Sequence, residues 1–72
     1  MKTLDDYTVV IRPDESVFLA YVPAIPGCHA MGDTSEDARL ELALVFDVWR
    51  ELYQERGELM PDDVGELVAV AS

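Results

Sequence analysis

The amino-acid sequence predicts a small α+β fold with the element order β-β-β-α-β, in which one helix packs on a small mixed sheet. Three observations predict it. Two runs rich in β-branched and aromatic residues lie close together near the N-terminus, one long segment has helical periodicity, and a short apolar run follows that segment. The chain has 72 residues, enough for one domain, so residues 1–72 are taken as a single unit.

The first three strands are predicted from residue types and from the breaks between them. Residues 7–12 and 17–22 read Y-T-V-V-I-R and V-F-L-A-Y-V, and the short proline-containing turn that joins them favours an antiparallel hairpin. Pro23 and Pro26 cannot donate ladder hydrogen bonds, so an ordered loop is expected there. Residues 28–31 are then predicted to form a short third strand.

The helix has the clearest local signal. Thr34 is suited to cap it, and Asp37 lies three positions later, as in a variant of the capping box. The helix is predicted over residues 35–56, with Gly57 as its C-terminal stop. A last strand is predicted at residues 67–71, and a right-handed crossover through the helix would set it parallel to an earlier strand.

The composition indicates a folded and strongly acidic protein. Half of the residues are hydrophobic, and 15 acidic residues against 5 basic ones give a net charge of −10. Because affinity for phosphates depends on Lys and Arg, direct binding to nucleic acid or to an anionic membrane is not expected. The charge would favour a basic protein partner, and a surface charge that only keeps the protein soluble is the alternative explanation. One unpaired cysteine, no signal-peptide pattern and no apolar run of membrane length predict a cytoplasmic protein.

No catalytic, metal or cofactor site is predicted. Cys28 and His29 are adjacent, but neighbours in a strand point to opposite faces, so the two side chains could not share a proton. Capping explains the acidic residues at the start of the helix, and the sequence has no phosphate-binding loop, calcium-loop spacing or nucleophile-elbow motif. A non-enzymatic protein without cofactors is therefore expected.

The helix carries more apolar surface than one core contact needs. At about 100° per residue, one stripe faces the sheet and contains Ala38, Leu42, Val45, Phe46, Trp49, Leu52 and Tyr53. Leu40, Leu44 and Val48 form a second ridge, roughly opposite the first, at positions i, i+4 and i+8. Scattered surface apolarity is the alternative explanation, but three residues in register favour an interface.

The strands also carry more apolar surface than one core contact needs. Both of their alternating faces are apolar, and the single helix can cover one of them. An uncovered apolar face should pack on something, and a second copy of the chain is the simplest cover. A homo-oligomer, dimer or tetramer, is therefore expected through the open sheet face, the helix ridge or both. The candidate interface residues are Val10, Phe18, Ala20, Leu40, Leu44, Val48, Val68 and Val70.

Two motifs in the sequence resemble the HicB antitoxin family. Residues 21–28 read Y-V-P-A-I-P-G-C, and residues 32–38 read G-D-T-S-E-D-A at the start of the helix. The likeness extends from Tyr7 to about Pro61. The motif is mostly a fold signature, and its members are Pro23, Pro26, Gly27, Gly32, Asp33 and Thr34.

The resemblance implies both a fold and a function. The fold would be partial RNase H-like, with strand order 3-2-1-4 and the last strand beside the first. The function would be that of a dimeric or larger antitoxin that binds and neutralises HicA, a small basic toxin that cleaves mRNA. No DNA-binding module follows the last predicted strand, so direct contact with an operator is not expected. A stand-alone homo-oligomeric module that binds another protein or a small ligand is the alternative function.

Overall fold

The computed structural model describes residues 2–63, and within them it contains three strands and one long helix. The elements in chain order are a short 3₁₀ helix at Leu4–Asp6, β1 at Val10–Asp14, β2 at Val17–Tyr21, β3 at His29–Gly32 and α1 at Ser35–Arg56. This is a small α+β domain with one helix on a three-stranded antiparallel sheet. The predicted last strand, residues 67–71 with Val68 and Val70, lies outside the described residues.

The sheet is a meander in which β2 lies between β1 and β3. Pairing between β1 and β2 continues as far as Asp14 and Val17, so the connection consists of Glu15 and Ser16 alone. The first strand is therefore shifted toward the turn relative to the predicted residues 7–12, and the turn is shorter than predicted. A two-residue hairpin requires a left-handed conformation, which Glu15 supplies with a φ of 57°.

The helix begins and ends where the sequence predicts. The Thr34 hydroxyl oxygen accepts a hydrogen bond from the backbone N–H of Asp37 at 3.0 Å, which caps the first turn. At the other end Gly57 adopts a left-handed φ of 70° and its N–H donates to the carbonyl of Gln54. Among residues 2–63, no helix combines the length and the apolarity that crossing a membrane requires.

The core forms between one face of the sheet and the inner stripe of α1. Ile11 lies opposite Ala20, and Ala20 lies opposite Ala30, so these three residues line the face that the helix covers. The buried residues from the rest of the domain are Leu4, Tyr7, Val22, Ala24, Ile25, Cys28, Ala38, Leu42 and Phe46. Every major element therefore contributes to a single core.

The proline-containing motif forms a closed loop that completes this core. The N–H of Val22 donates to the carbonyl of Cys28, and the N–H of Cys28 donates to the carbonyl of Ile25. These bonds pair the backbone groups of residues around Pro23 and Pro26, which have no N–H to donate to a ladder. Ile25 is almost fully buried, so the loop holds an apolar side chain in the core.

The segment after the helix returns to the start of the first strand. The hydroxyl of Tyr7 donates to the carbonyl of Pro61, and the backbone N–H of Thr8 donates to the carboxylate of Asp63 at 2.8 Å. A second hydrogen bond of 2.8 Å joins the Thr8 hydroxyl to Asp63. The N-terminal and C-terminal parts of the described chain are therefore held side by side, next to β1.

The assignment of the sheet faces was wrong for Phe18 and Ala20. Both residues lie on the face that α1 covers: Ala20 is completely buried, and Phe18 packs against the core. The alternation along β2 is as expected, but the helix covers the face that was predicted to be open. Val10 does lie on the open face, where it stands opposite Tyr21.

Candidate protein-interaction surfaces

The outer side of α1 exposes the predicted apolar ridge. Leu40, Leu44 and Val48 are 61%, 63% and 56% exposed, which is unusual for large apolar side chains on a small domain. Their spacing of four residues places them one above the other along the helix. They point away from the core because helical spacing places them roughly opposite the buried residues Ala38, Leu42 and Phe46.

Carboxylates surround this ridge. At about 100° per residue, Asp37, Glu51 and Glu55 fall within the arc that the ridge spans, and Glu41 lies at its border. All four residues are exposed, and none of them takes part in an ion pair with another residue among 2–63. We call this surface the acidic-apolar face; it consists of Leu40, Leu44, Val48, Asp37, Glu41, Glu51 and Glu55.

Two arginines of the helix lie beside this face, and each forms an ion pair with another carboxylate. Arg39 contacts the Asp5 carboxylate at 2.9 Å, and Arg50 contacts the Asp47 carboxylate at 2.9 Å. The guanidinium of Arg50 also lies 5.9 Å from the ring centre of Phe46. These cations anchor the helix to the N-terminal segment and to its own surface, so they do not neutralise the four carboxylates of the acidic-apolar face.

The open face of the sheet has a different character. Strand alternation places Val10, Leu19, Tyr21 and Met31 on it, opposite the face that α1 covers. Met31 is largely exposed and the other three are partly exposed. Arg12, Asp14 and His29 are the ionisable side chains that accompany them, so this face is far less acidic than the acidic-apolar face.

A groove joins the open sheet face to the proline-containing loop. It has a volume of about 450 Å³, and its lining includes Leu19, Tyr21, Pro23, Pro26 and His29. The lining is mainly apolar and aromatic, which is the usual character of a small-molecule pocket. This groove is the place in the described chain where a ligand could contact both the motif and the open sheet face.

Cys28 and His29 do not meet. Cys28 is buried in the core, and burial raises the pKa of its thiol, so the reactive thiolate is disfavoured. The His29 side chain is exposed on the opposite face of β3. Among residues 2–63, no three His, Cys, Asp or Glu side chains are grouped closely enough to hold a metal ion.

Sequence reasoning missed two exposed apolar residues. Met31 follows from the alternation of β3, because it stands opposite Leu19 on the open face. Leu59 is 94% exposed in the segment after α1 and has no periodic pattern that would have singled it out. Of the predicted interface residues, Val10 lies on the open sheet face, whereas Leu40, Leu44 and Val48 lie together on the helix.

Two relatives match nearly the whole chain. The chain is 36% identical over 66 residues to the UPF0150 protein ssl0259 of Synechocystis sp., and the match covers 90% of each chain. It is 32% identical over 65 residues to the UPF0150 protein Ta0767 of Thermoplasma acidophilum, with 89% of this chain and 94% of the relative covered. No family model matches the sequence, and no solved structure matches it significantly.

Proposed function

This chain belongs to the UPF0150 family, and we propose that it is a non-enzymatic, oligomeric protein-binding domain that works as a HicB-like antitoxin. Its partner would be a small basic toxin of the HicA type, which cleaves mRNA. The acidic-apolar face is the single observation that carries this proposal, because it joins exposed apolar side chains to carboxylates that have no ion pair among residues 2–63. The protein would act in the cytoplasm, where a single unpaired cysteine stays reduced.

Energetics favour binding as the role of the exposed ridge. Burying a Leu or Val side chain completely contributes about 1.5–3 kcal/mol, so burial of the remaining surface of Leu40, Leu44 and Val48 would contribute a few kcal/mol to association. The net charge of −10 would speed the encounter with a basic chain and disfavour acidic competitors. The burial of Cys28, away from His29, gives no support to a catalytic alternative.

The strand order and the RNase H-like arrangement are part of the same proposal. A partial RNase H-like fold with strand order 3-2-1-4 requires the chain to return beside β1, which lies at an edge of the sheet that residues 2–63 form. The two hydrogen bonds from Thr8 to Asp63 support this arrangement, because they hold the segment after α1 at the start of β1. In the sequence, the residues that would form the last strand, 67–71, follow Asp63.

Co-expression with a neighbouring gene product tests the antitoxin role. We expect a short gene beside this one to encode a basic chain that arrests growth when expressed alone, because an acidic inhibitor needs a basic target. Co-expression of the present chain should restore growth, and an affinity tag on it should retain the basic chain. Growth arrest that persists on co-expression, together with no retained complex, would contradict the antitoxin proposal.

The open sheet face favours a second candidate, a stand-alone homo-oligomeric module that binds another protein or a small ligand. A second copy packed on Val10, Leu19, Tyr21 and Met31 would cover apolar surface that α1 leaves exposed on the other side of the sheet. The groove beside the proline-containing loop would then lie next to the subunit contact. This candidate shares the oligomeric state with the antitoxin but needs no basic partner.

Replacing Leu19 tests self-association through the sheet. We expect the wild-type chain to sediment as a dimer or tetramer at micromolar concentration, and Leu19→Lys to weaken assembly by about tenfold or more, because a charge at a packed sheet centre must be desolvated. Leu59→Lys makes the same chemical change at a residue that is 94% exposed and away from the sheet, so it should assemble like the wild type. A monomeric wild-type protein would refute the oligomeric part of the proposal.

A further inference from the structure

We infer that the acidic-apolar face binds a basic amphipathic helix of the partner protein. This inference rests on the proposed function, because it names the chemistry of the partner and the surface that receives it. The apolar component is the row of Leu40, Leu44 and Val48, all more than half exposed. At a rise of about 1.5 Å per residue, this row is about 12 Å long.

The charges determine which kind of partner fits. Asp37, Glu41, Glu51 and Glu55 are exposed and have no ion pair within residues 2–63, whereas the nearby Arg39 and Arg50 are engaged with Asp5 and Asp47. A second copy packed here would bring two sets of four carboxylates together, and like charges across an interface are strongly unfavourable. A partner with lysines or arginines would instead pair with them.

The arrangement of charges along the helix favours a helical partner. Asp37 lies before Leu40 at one end of the apolar row, Glu41 lies beside the first turn of the row, and Glu51 and Glu55 lie beyond Val48 at the other end. From Asp37 to Glu55 the surface extends about 27 Å, or about five helical turns. A helix with apolar residues at i, i+4 and i+8 in its centre and basic residues toward both ends matches this pattern, since helices pack through such rows. An extended strand would find no unpaired backbone groups on the side of a helix.

A designed peptide tests the inference directly. The probe is a fluorescent 20-residue helical peptide with three leucines at i, i+4 and i+8 and lysines toward both ends; a scrambled peptide of the same composition is its control. Fluorescence anisotropy should show that the wild-type chain binds the ordered peptide at least about tenfold more tightly than the scrambled one. Added salt should weaken this binding, because the paired charges are exposed.

Matched variants locate the binding surface. Leu44→Lys should weaken peptide binding at least about tenfold and Glu51→Lys severalfold, because one removes a central apolar contact and the other replaces an attraction with a repulsion. Leu59→Lys and Glu58→Lys make the same changes outside the helix and should stay within about twofold of the wild type. All four positions are exposed, so circular dichroism should show an intact fold.

The outcomes separate this inference from the proposed function. Equal binding of the ordered and scrambled peptides, or equal effects of Leu44→Lys and Leu59→Lys, would overturn the inference. With the neighbouring basic chain as a second probe, full retention by Leu44→Lys would also overturn it while leaving the antitoxin role intact. If the wild-type chain binds the ordered peptide but not the neighbouring chain, the antitoxin role fails and the inferred surface stands.

Discussion

Gly32→Ala is expected to lower the free energy of unfolding by about 3 kcal/mol or more, which is the upper part of the range for overpacking. A Cβ atom at position 32 would lie 2.4 Å from the backbone nitrogen of Ala38 and 2.7 Å from the carbonyl carbon of Asp37. Both atoms belong to the first turn of α1, which the Thr34 cap holds in place. The added methyl group can therefore fit only if the helix moves away from β3.

The consequence is large because the domain is small. At about 0.05–0.15 kcal/mol per residue, a chain of this length has a total stability of about 4–11 kcal/mol. Urea unfolding followed by Trp49 fluorescence and by helical circular dichroism would measure the loss. Gly57→Ala is the matched control: its Cβ would meet nothing within 4 Å, so it should cost only the left-handed strain, about 1–2 kcal/mol. Equal losses in the two variants would contradict the packing explanation.

Phe46→Ala is expected to lower the free energy of unfolding by about 3–5 kcal/mol, the usual range for removing a buried aromatic side chain. Phe46 is 1% exposed at the centre of the core. Its ring centre lies 5.6 Å from that of Tyr7 in a tilted arrangement, and the Arg50 guanidinium lies near its face. Truncation would remove these contacts and leave a cavity between α1 and the N-terminal segment.

Leu44→Ala is the control for this second change, because it shortens an apolar side chain of the same helix on the opposite side. Leu44 is mostly exposed, so its truncation should change the stability by no more than about 0.5 kcal/mol. Urea midpoints of the two variants would compare the inner stripe with the outer ridge. A loss at Leu44 as large as that at Phe46 would mean that the ridge contributes to folding of the monomer, in conflict with its exposure here.

Local signals predicted the helix and the motif loop well. The bounds of α1 depend on Thr34 and Gly57, whose roles need only a hydroxyl at one end and a left-handed backbone at the other. The outer ridge was predictable for a similar reason, since helical spacing alone separates Leu40 and Leu44 from Leu42. The bounds of β1 were less predictable, because strand ends depend on pairing across the sheet, which here continues to Asp14.

The contacts between the N-terminal segment and residues 61–63 had no sequence signal. Tyr7, predicted as the first residue of a strand, lies before β1. Its side chain is buried, and its hydroxyl donates a hydrogen bond to the carbonyl of Pro61. Lys2 contacts Asp62 at 3.1 Å, and the hydrogen bond to Asp62 raises the pKa of this half-buried lysine. Such contacts join residues more than fifty positions apart, so they exist only once the helix has folded back across the sheet.

The sequence by itself determined an acidic domain with three early strands, a capped helix and a ridge of exposed apolar residues on that helix. Only the tertiary structure decided which sheet face the helix covers. Both faces of β2 are apolar, so Phe18 and Ala20 satisfy the same alternation as Leu19 and Tyr21. The choice is made by the path from β3 into α1, where Gly32 lets the helix approach the sheet on one side. That path buries Ala20 and leaves Leu19 and Tyr21 on the open face. The residue pattern along a single strand does not specify which of its two faces the helix will cover.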